Sequence, residues 1–205
     1  MIDVRFRLFK GCLLQHWQFF MGNPRTNKKP NQNGQQFFES SMMEILKTFH
    51  SAGFGLAGNS NSNGPSSNGT NGTNGTGGGM MVVSPERVRY NLKTLKQLHR
   101  VHKLFASCSS ELRVQCLTVC LNMIANTSME LLRDDIVPLI HSIASFNFDD
   151  FFKIFLPQYV GSVLGSISNF HQQKLCVQFG NDCDAVSFKE NSINFANYMQ
   201  TLMTN

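Results

Sequence analysis

The stretch FDDFFKIFLP, Phe148 to Pro157, decides the fold class of this chain. Phe148, Phe151, Phe152 and Phe155 recur at i, i+3, i+4 and i+7, which places four rings on one face of an α-helix. Asp149, Asp150 and Lys153 take the other face, and Pro157 is expected to end the helix, because proline has no N–H to donate. A face of four rings must meet another helix or a partner molecule. Flanked by two apolar helices, the rings read as the interlock between neighbouring repeats and not as a binding site.

Working outward, the rest of the chain also reads as helix, with no convincing strand pattern. Upstream, Ser128 is expected to open a helix through Leu131, Leu132, Ile136, Leu139, Ile140 and Ile143, kinked or broken at Pro138. Ser109 or Ser110 caps a nearly all-apolar helix through Val114, Leu117, Leu121 and Ile124, the composition of a buried helix. Ser84-Pro85-Glu86 starts a helix that runs to about Phe105, with Val88, Leu92, Leu95, Leu98, His102 and Phe105 along one side. Residues ~4–21 and ~35–51 are amphipathic, the second through Phe38, Met42, Ile45 and Phe49. Downstream, a helix resuming after Pro157 through Tyr159 and Leu164 is followed by ~169–179 and ~184–203. Helices in successive pairs, ~4–51, ~84–126, ~128–166 and ~169–203, point to an all-α architecture: an α-solenoid of HEAT-like antiparallel helix pairs.

Gly53 to Gly79 is rich in Asn, Gly and Ser and has too little apolar surface to offset the entropy of ordering it. It is expected to be a disordered insertion, and Gly22 to Gly34 a shorter polar linker. The expected organisation is therefore a first helical hairpin with its linker (1–52), the low-complexity loop (53–83) and the C-terminal repeats (84–205). The loop carries three Asn-Gly-Thr sequons, at Asn68, Asn71 and Asn74, and Asn126-Thr127-Ser128 is a fourth. They read as a tandem repeat and not as glycan sites, because the first residues, interrupted by Arg5, Arg7, Lys10 and His16, do not make a signal peptide.

The chain has 205 residues and a formal net charge of +5. Residues 1–83 hold seven Lys/Arg against three Asp/Glu, and residues 84–205 hold eleven against ten. The basic excess is therefore diluted where the helical pattern is strongest, and no Lys/Arg cluster is interleaved with aromatics, so neither nucleic acid nor membrane is expected as a partner. No apolar run approaches the ~20 residues of a membrane span. The cysteines Cys12, Cys108, Cys116, Cys120, Cys176 and Cys183 form no CxxC and no zinc spacing, and Cys116 and Cys120, one turn apart on the apolar helix, read as buried free thiols. The expected setting is soluble, intracellular and reduced.

No catalytic, cofactor or metal site is expected. His99 and His102 lie one turn apart without a third ligand, and His141 is distant. Asp134-Asp135 and Asp149-Asp150 are adjacent in sequence, so their carboxylates diverge around a helix and do not share a proton. One charge pattern rises above background. Arg89, Lys93, Lys96, Arg100 and Lys103 recur at 4, 3, 4, 3 spacing, a basic stripe that is either a solvated helix face or a docking surface for an acidic protein.

From Leu131 onward the chain resembles the C-terminal end of the exportin-six family within the importin-β superfamily. The resemblance is carried by LLRDDI (Leu131–Ile136), IAS (Ile143–Ser145), FDDFFKIFLP, Gln173-Lys174 and DAVSFKEN, in which Asp184, Ser187, Phe188 and Asn191 match. Weaker similarity reaches Tyr90–Phe105 and Leu13–Phe20, while the Asn/Gly stretch and Pro138 depart from the pattern. The resemblance implies a nuclear export receptor that shuttles between nucleus and cytoplasm and meets nuclear pore proteins. Its cargo would be profilin-bound actin, and Ran-GTP would bind through an N-terminal region absent from these 205 residues. Met1 is then expected to be the start of a partial product. The rival expectation is a free-standing helical scaffold or adaptor with no transport role.

Overall fold

A computed structural model describes residues 4–22, 32–53, 85–165 and 167–204. Among them every regular element is helical. The elements are α1 (Val4–Gln15), α2 (Trp17–Met21), α3 (Gln32–Gly53), α4 (Pro85–His102), α5 (Leu104–Ser107) and α6 (Ser110–Ala125). A 3₁₀ turn (Thr127–Leu132) leads into α7 (Arg133–Ala144). Then come α8 (Phe148–Asp150), a π-helical turn (Phe151–Phe155), α9 (Leu156–Val163), α10 (Asn169–Phe179) and α11 (Ala185–Thr204). The Asn/Gly/Ser-rich insertion, apart from Gly53 at the end of α3, lies outside the described residues, as does Ser84.

Caps set several of the starts. Ser109 Oγ accepts from the Leu112 N–H, Asn147 Oδ1 from Asp150, and Asp184 Oδ1 from Val186 and Ser187. Each satisfies a first-turn N–H that has no partner inside its own helix. Those N–H donors, Ser187 foremost, hold the Asp184 carboxyl below its ordinary range. At the other end of α10, Gly180 takes φ +67, a left-handed conformation that ends the helix without steric cost.

α3 lies against α2, α4 and α6, while α4 also touches α1, α5 and α7. α6 packs on α7 and α11, and α10 joins α11 to α9. One continuous core runs through the stack, from Leu13 and Trp17 to Phe195 and Met199. The expected all-α helical-repeat architecture is what forms. The pairing inside it is less regular than four successive hairpins. α2 with α3 and α10 with α11 do pack as pairs, but α6 takes α3 and α7 as its main neighbours, and α9 takes α10. The reason lies in α6, which buries Leu112, Cys116, Leu117, Val119, Cys120, Leu121, Met123, Ile124 and Ala125 and so needs cover on several sides.

Five expectations are corrected locally. The first helix breaks at His16, so α1 and α2 are separate. The helix from Pro85 stops at His102, because Lys103 turns left-handed with φ 55 before α5 begins. Asn126, not Ser128, caps the segment before α7: its Oδ1 accepts from the Ser128 N–H and hydroxyl, and the following turn is 3₁₀, leaving Leu131 90% exposed. Of the kink or break expected at Pro138, the break is absent, because α7 continues through it. The Phe-rich helix does not end at Pro157 either. Through the π turn the Leu156 N–H reaches the Phe151 carbonyl, five residues back, and α9 starts afresh with Pro157 in its first turn. There a missing N–H costs nothing.

Candidate functional site

α4 turns Val88, Asn91, Leu92, Thr94, Leu95 and Leu98 inward. Burial of that face leaves a narrow outer strip, and past Glu86 in the first turn the strip is basic: Arg89, Lys93 and Arg100 are exposed, and exposed Lys103 follows the helix end. The buried side is pinned as well as packed. Asn91 Nδ2 donates to Thr48 Oγ1 on α3 at 2.8 Å, and that hydroxyl donates to the Ile45 carbonyl at 2.6 Å. His102 stacks on Trp17, centroids 4.8 Å apart, with Nε2 3.2 Å from the Leu14 carbonyl. α4 therefore cannot roll to hide its charges.

Of the five cations expected to act together, the structure sets one apart. Lys96 Nζ donates to Asp135 Oδ1 at 2.7 Å, joining α4 to α7. The neighbouring Asp134 turns the other way and pairs with Lys189 of α11 at 2.7 Å. The hydrogen bond from Lys189, then its charge, holds the Asp134 carboxyl below its ordinary range. Two adjacent aspartates thus diverge, as expected, to clamp α7 between its neighbours. Arg133 adds a third tie from inside: buried, it donates from Nε to the Ile124 carbonyl at 2.9 Å and from Nη1 to Asn197 at 2.9 Å. No sequence signal pairs residues this far apart.

The Phe-rich segment is not open surface. Phe151 is 2% exposed and meets Phe179 of α10 edge-on at 5.4 Å and Phe188 of α11 at 5.8 Å. Phe148 and Phe152 stack at 5.9 Å, and Phe151 and Phe155 at 5.7 Å. The rings interlock neighbouring repeats. Each histidine weighed for metal has a packing partner too: His99 lies against Phe105, and His141 against Phe148 and Phe188 with Nε2 2.9 Å from the Cys183 carbonyl. Among the described residues no three His, Cys, Asp or Glu side chains gather to hold a metal ion.

The buried thiols are poor nucleophiles. Burial pushes Cys108 and Cys120 up to about 12 and Cys116 well above its ordinary value. The cysteines of the described helices are free. A cleft of about 450 Å³ between α9 and α10, lined by Pro157, Val160, Asn169, Gln172, Gln173, Cys176 and Val177, was not foreseen in the sequence. Its one thiol, Cys176, is likewise raised by burial. The described residues thus offer an exposed row of cations on a rigidly seated helix, and buried thiols held in the protonated form.

The sequence profile of one family, Exportin-6, C-terminal TPR repeats, matches residues 13–204. The chain belongs to that family. No curated protein and no solved structure gives a significant match. TPR repeats, like HEAT repeats, are stacked helix pairs, and α4, α7 and α10 begin unevenly at residues 85, 133 and 169. Several of the residues that first pointed to the exportin-6 family are fold determinants. Arg133, Asp134 and Asp135 tie α7 to its surroundings, Asp184 caps α11, and Phe188 is core. Asn191 donates to Asp182 at 3.2 Å and sits against Gly180, where an added Cβ would fall 2.7 Å from its Nδ2. These residues identify the exportin-6 repeats through the shape they hold.

Proposed function

We propose that the chain serves as the C-terminal repeat portion of a nuclear export receptor, carrying profilin-bound actin out of the nucleus in a Ran-GTP-dependent manner. The observation that carries the reading is the match to Exportin-6, C-terminal TPR repeats over residues 13–204. An exportin takes protein cargo between nucleus and cytoplasm, and a stack of helices with one continuous core suits that work, because its outer faces stay available while its interior holds shape. The chain acts by binding and not by catalysis, in keeping with thiols protonated at neutral pH. Ran-GTP would engage the receptor N-terminal to these repeats, and nuclear pore proteins would guide passage.

The test is recovery from cell extract on the receptor that carries these repeats, with and without GTP-locked Ran. Ran-stimulated recovery of actin and profilin is expected. Recovery of both that is indifferent to Ran would leave a helical scaffold and remove the transport role.

A further inference from the structure

We propose that Arg89, Lys93, Arg100 and Lys103 form a docking row for an acidic segment of a protein partner. The proposal rests on the binding-scaffold reading and gives it a surface and a chemistry.

Four observations carry it. First, all four side chains are exposed, and no carboxylate among the described residues pairs with them, whereas Lys96, the fifth cation at this spacing, is taken by Asp135. Second, like charges one turn apart repel and weaken a helix. The fold gains nothing from this repulsion, because the opposite face of α4 supplies the packing. Third, Lys103 occupies a left-handed position, φ 55, that glycine would fill without strain. The chain puts a lysine there, which extends the row by one turn at a further cost, this time in backbone strain. Fourth, outside the described residues the chain holds a single acid, Asp3, so residues 1–205 contain no acidic segment there to lie on the row.

The shape of the row selects the partner class. From Arg89 to Lys103 it is about 20 Å long and one side chain wide, the geometry of a helix or strand edge bearing Glu or Asp. α1 alongside adds exposed Arg7, while Lys10 sits over the Tyr90 ring at 5.2 Å. A nucleic acid would want aromatic faces or a broad positive field. Among the described residues the large apolar side chain exposed on α4 is Val101, and residues 84–205 nearly balance at eleven cations against ten anions. One valine likewise gives a lipid surface little to hold.

The probe is a labelled helical peptide of roughly 20 residues with Glu at the row's own spacing, compared with its Gln analogue by fluorescence anisotropy at low and physiological salt. The Glu peptide should bind and weaken with salt, and the Gln analogue should not bind. Lys93→Gln with Arg100→Gln should lower affinity about tenfold at low salt and flatten the salt dependence. Lys47→Gln with Lys153→Gln, which removes the same charge elsewhere, should stay within about twofold. Lys103→Gly should weaken binding and melt no lower than the parent chain.

Equal losses in both double variants, or equal binding of the Gln analogue, would overturn the proposal. So would tighter binding of duplex RNA or phosphatidylserine vesicles than of the peptide, or a dimer abolished by Lys93→Gln with Arg100→Gln. Ran-stimulated cargo recovery is read on the intact receptor without the peptide, so its presence beside failed peptide binding would remove this inference alone.

Discussion

The Phe-rich segment Phe148–Phe155 and the basic row of α4 share helical spacing, but folding sends their side chains in opposite directions. Phe151 is closed between α10 and α11 and Phe155 is buried beside it, whereas Arg89, Lys93 and Arg100 stay in water. Apolar area is worth burying against almost any apolar neighbour, at about 25 cal/mol per Å². A charge is costly to bury unless a particular opposite charge is waiting. Periodic rings therefore identify a core whatever they meet, while periodic charges tell only which way a helix faces. Which cation is used internally depends on placement, and Asp135 chose Lys96.

The largest effect expected is at the rings. Phe151→Ala should cost ~3–5 kcal/mol, read from a urea midpoint, because the vacated volume lies among Phe155, Phe179 and Phe188 and none can collapse into it freely. A loss below about 1 kcal/mol would mean the segment is not the interlock, and the contrast with α4 would fail.

The row should respond far less. Lys96→Gln should cost under about 1 kcal/mol, as a partly exposed ion pair does, and Lys93→Gln should cost nothing or stabilise slightly by relieving repulsion. Equal costs at the two positions would erase the distinction between the internal lysine and the free one.

The smallest effect lies where the two regions' chemistries meet. His99 packs its ring on Phe105 near Lys103, and burial first, then the Lys103 charge, lowers its pKa below 6.5. The unfolded chain then binds the proton more readily than the folded one. Stability should be full above pH 6.5 and fall as pH drops from there through the folded-state value. Lys103→Gly removes the second cause and should shrink the drop. Asp134 and Asp184, both held below 3.8, act only in more acid solution and leave this window clear. A urea midpoint unchanged between about pH 7.5 and about pH 5.5 would count against the half-buried setting of His99 beside Phe105.

Much of this fold was legible from apolar period alone. Phe38, Met42, Ile45 and Phe49 all lie in the core, and Ser109 and Pro85 stand where a helix start needs them. The misses share a cause, for each is decided by tertiary fit and not by local sequence. Lys103 carries no turn signal, yet the seating of His102 on Trp17 ends α4 just before it. The π turn lets the chain keep its rings inside and still pass Pro157. Of the candidate site, the outward direction of the cations was readable, because the apolar face forced it. The withdrawal of Lys96 was not, because its partner lies 39 residues away.

The most direct test of this division measures melting and peptide affinity together in two variants, Phe155→Ala and the Lys93→Gln, Arg100→Gln pair. The account predicts a crossing. Phe155→Ala melts lower but, at a temperature where it is folded, binds the Glu peptide like the parent chain, while the charge pair melts like the parent and loses about tenfold in affinity. If the folded Phe155→Ala protein lost binding, or the charge pair lost stability and kept its affinity, the assignment of core to the rings and contact to the row would be wrong.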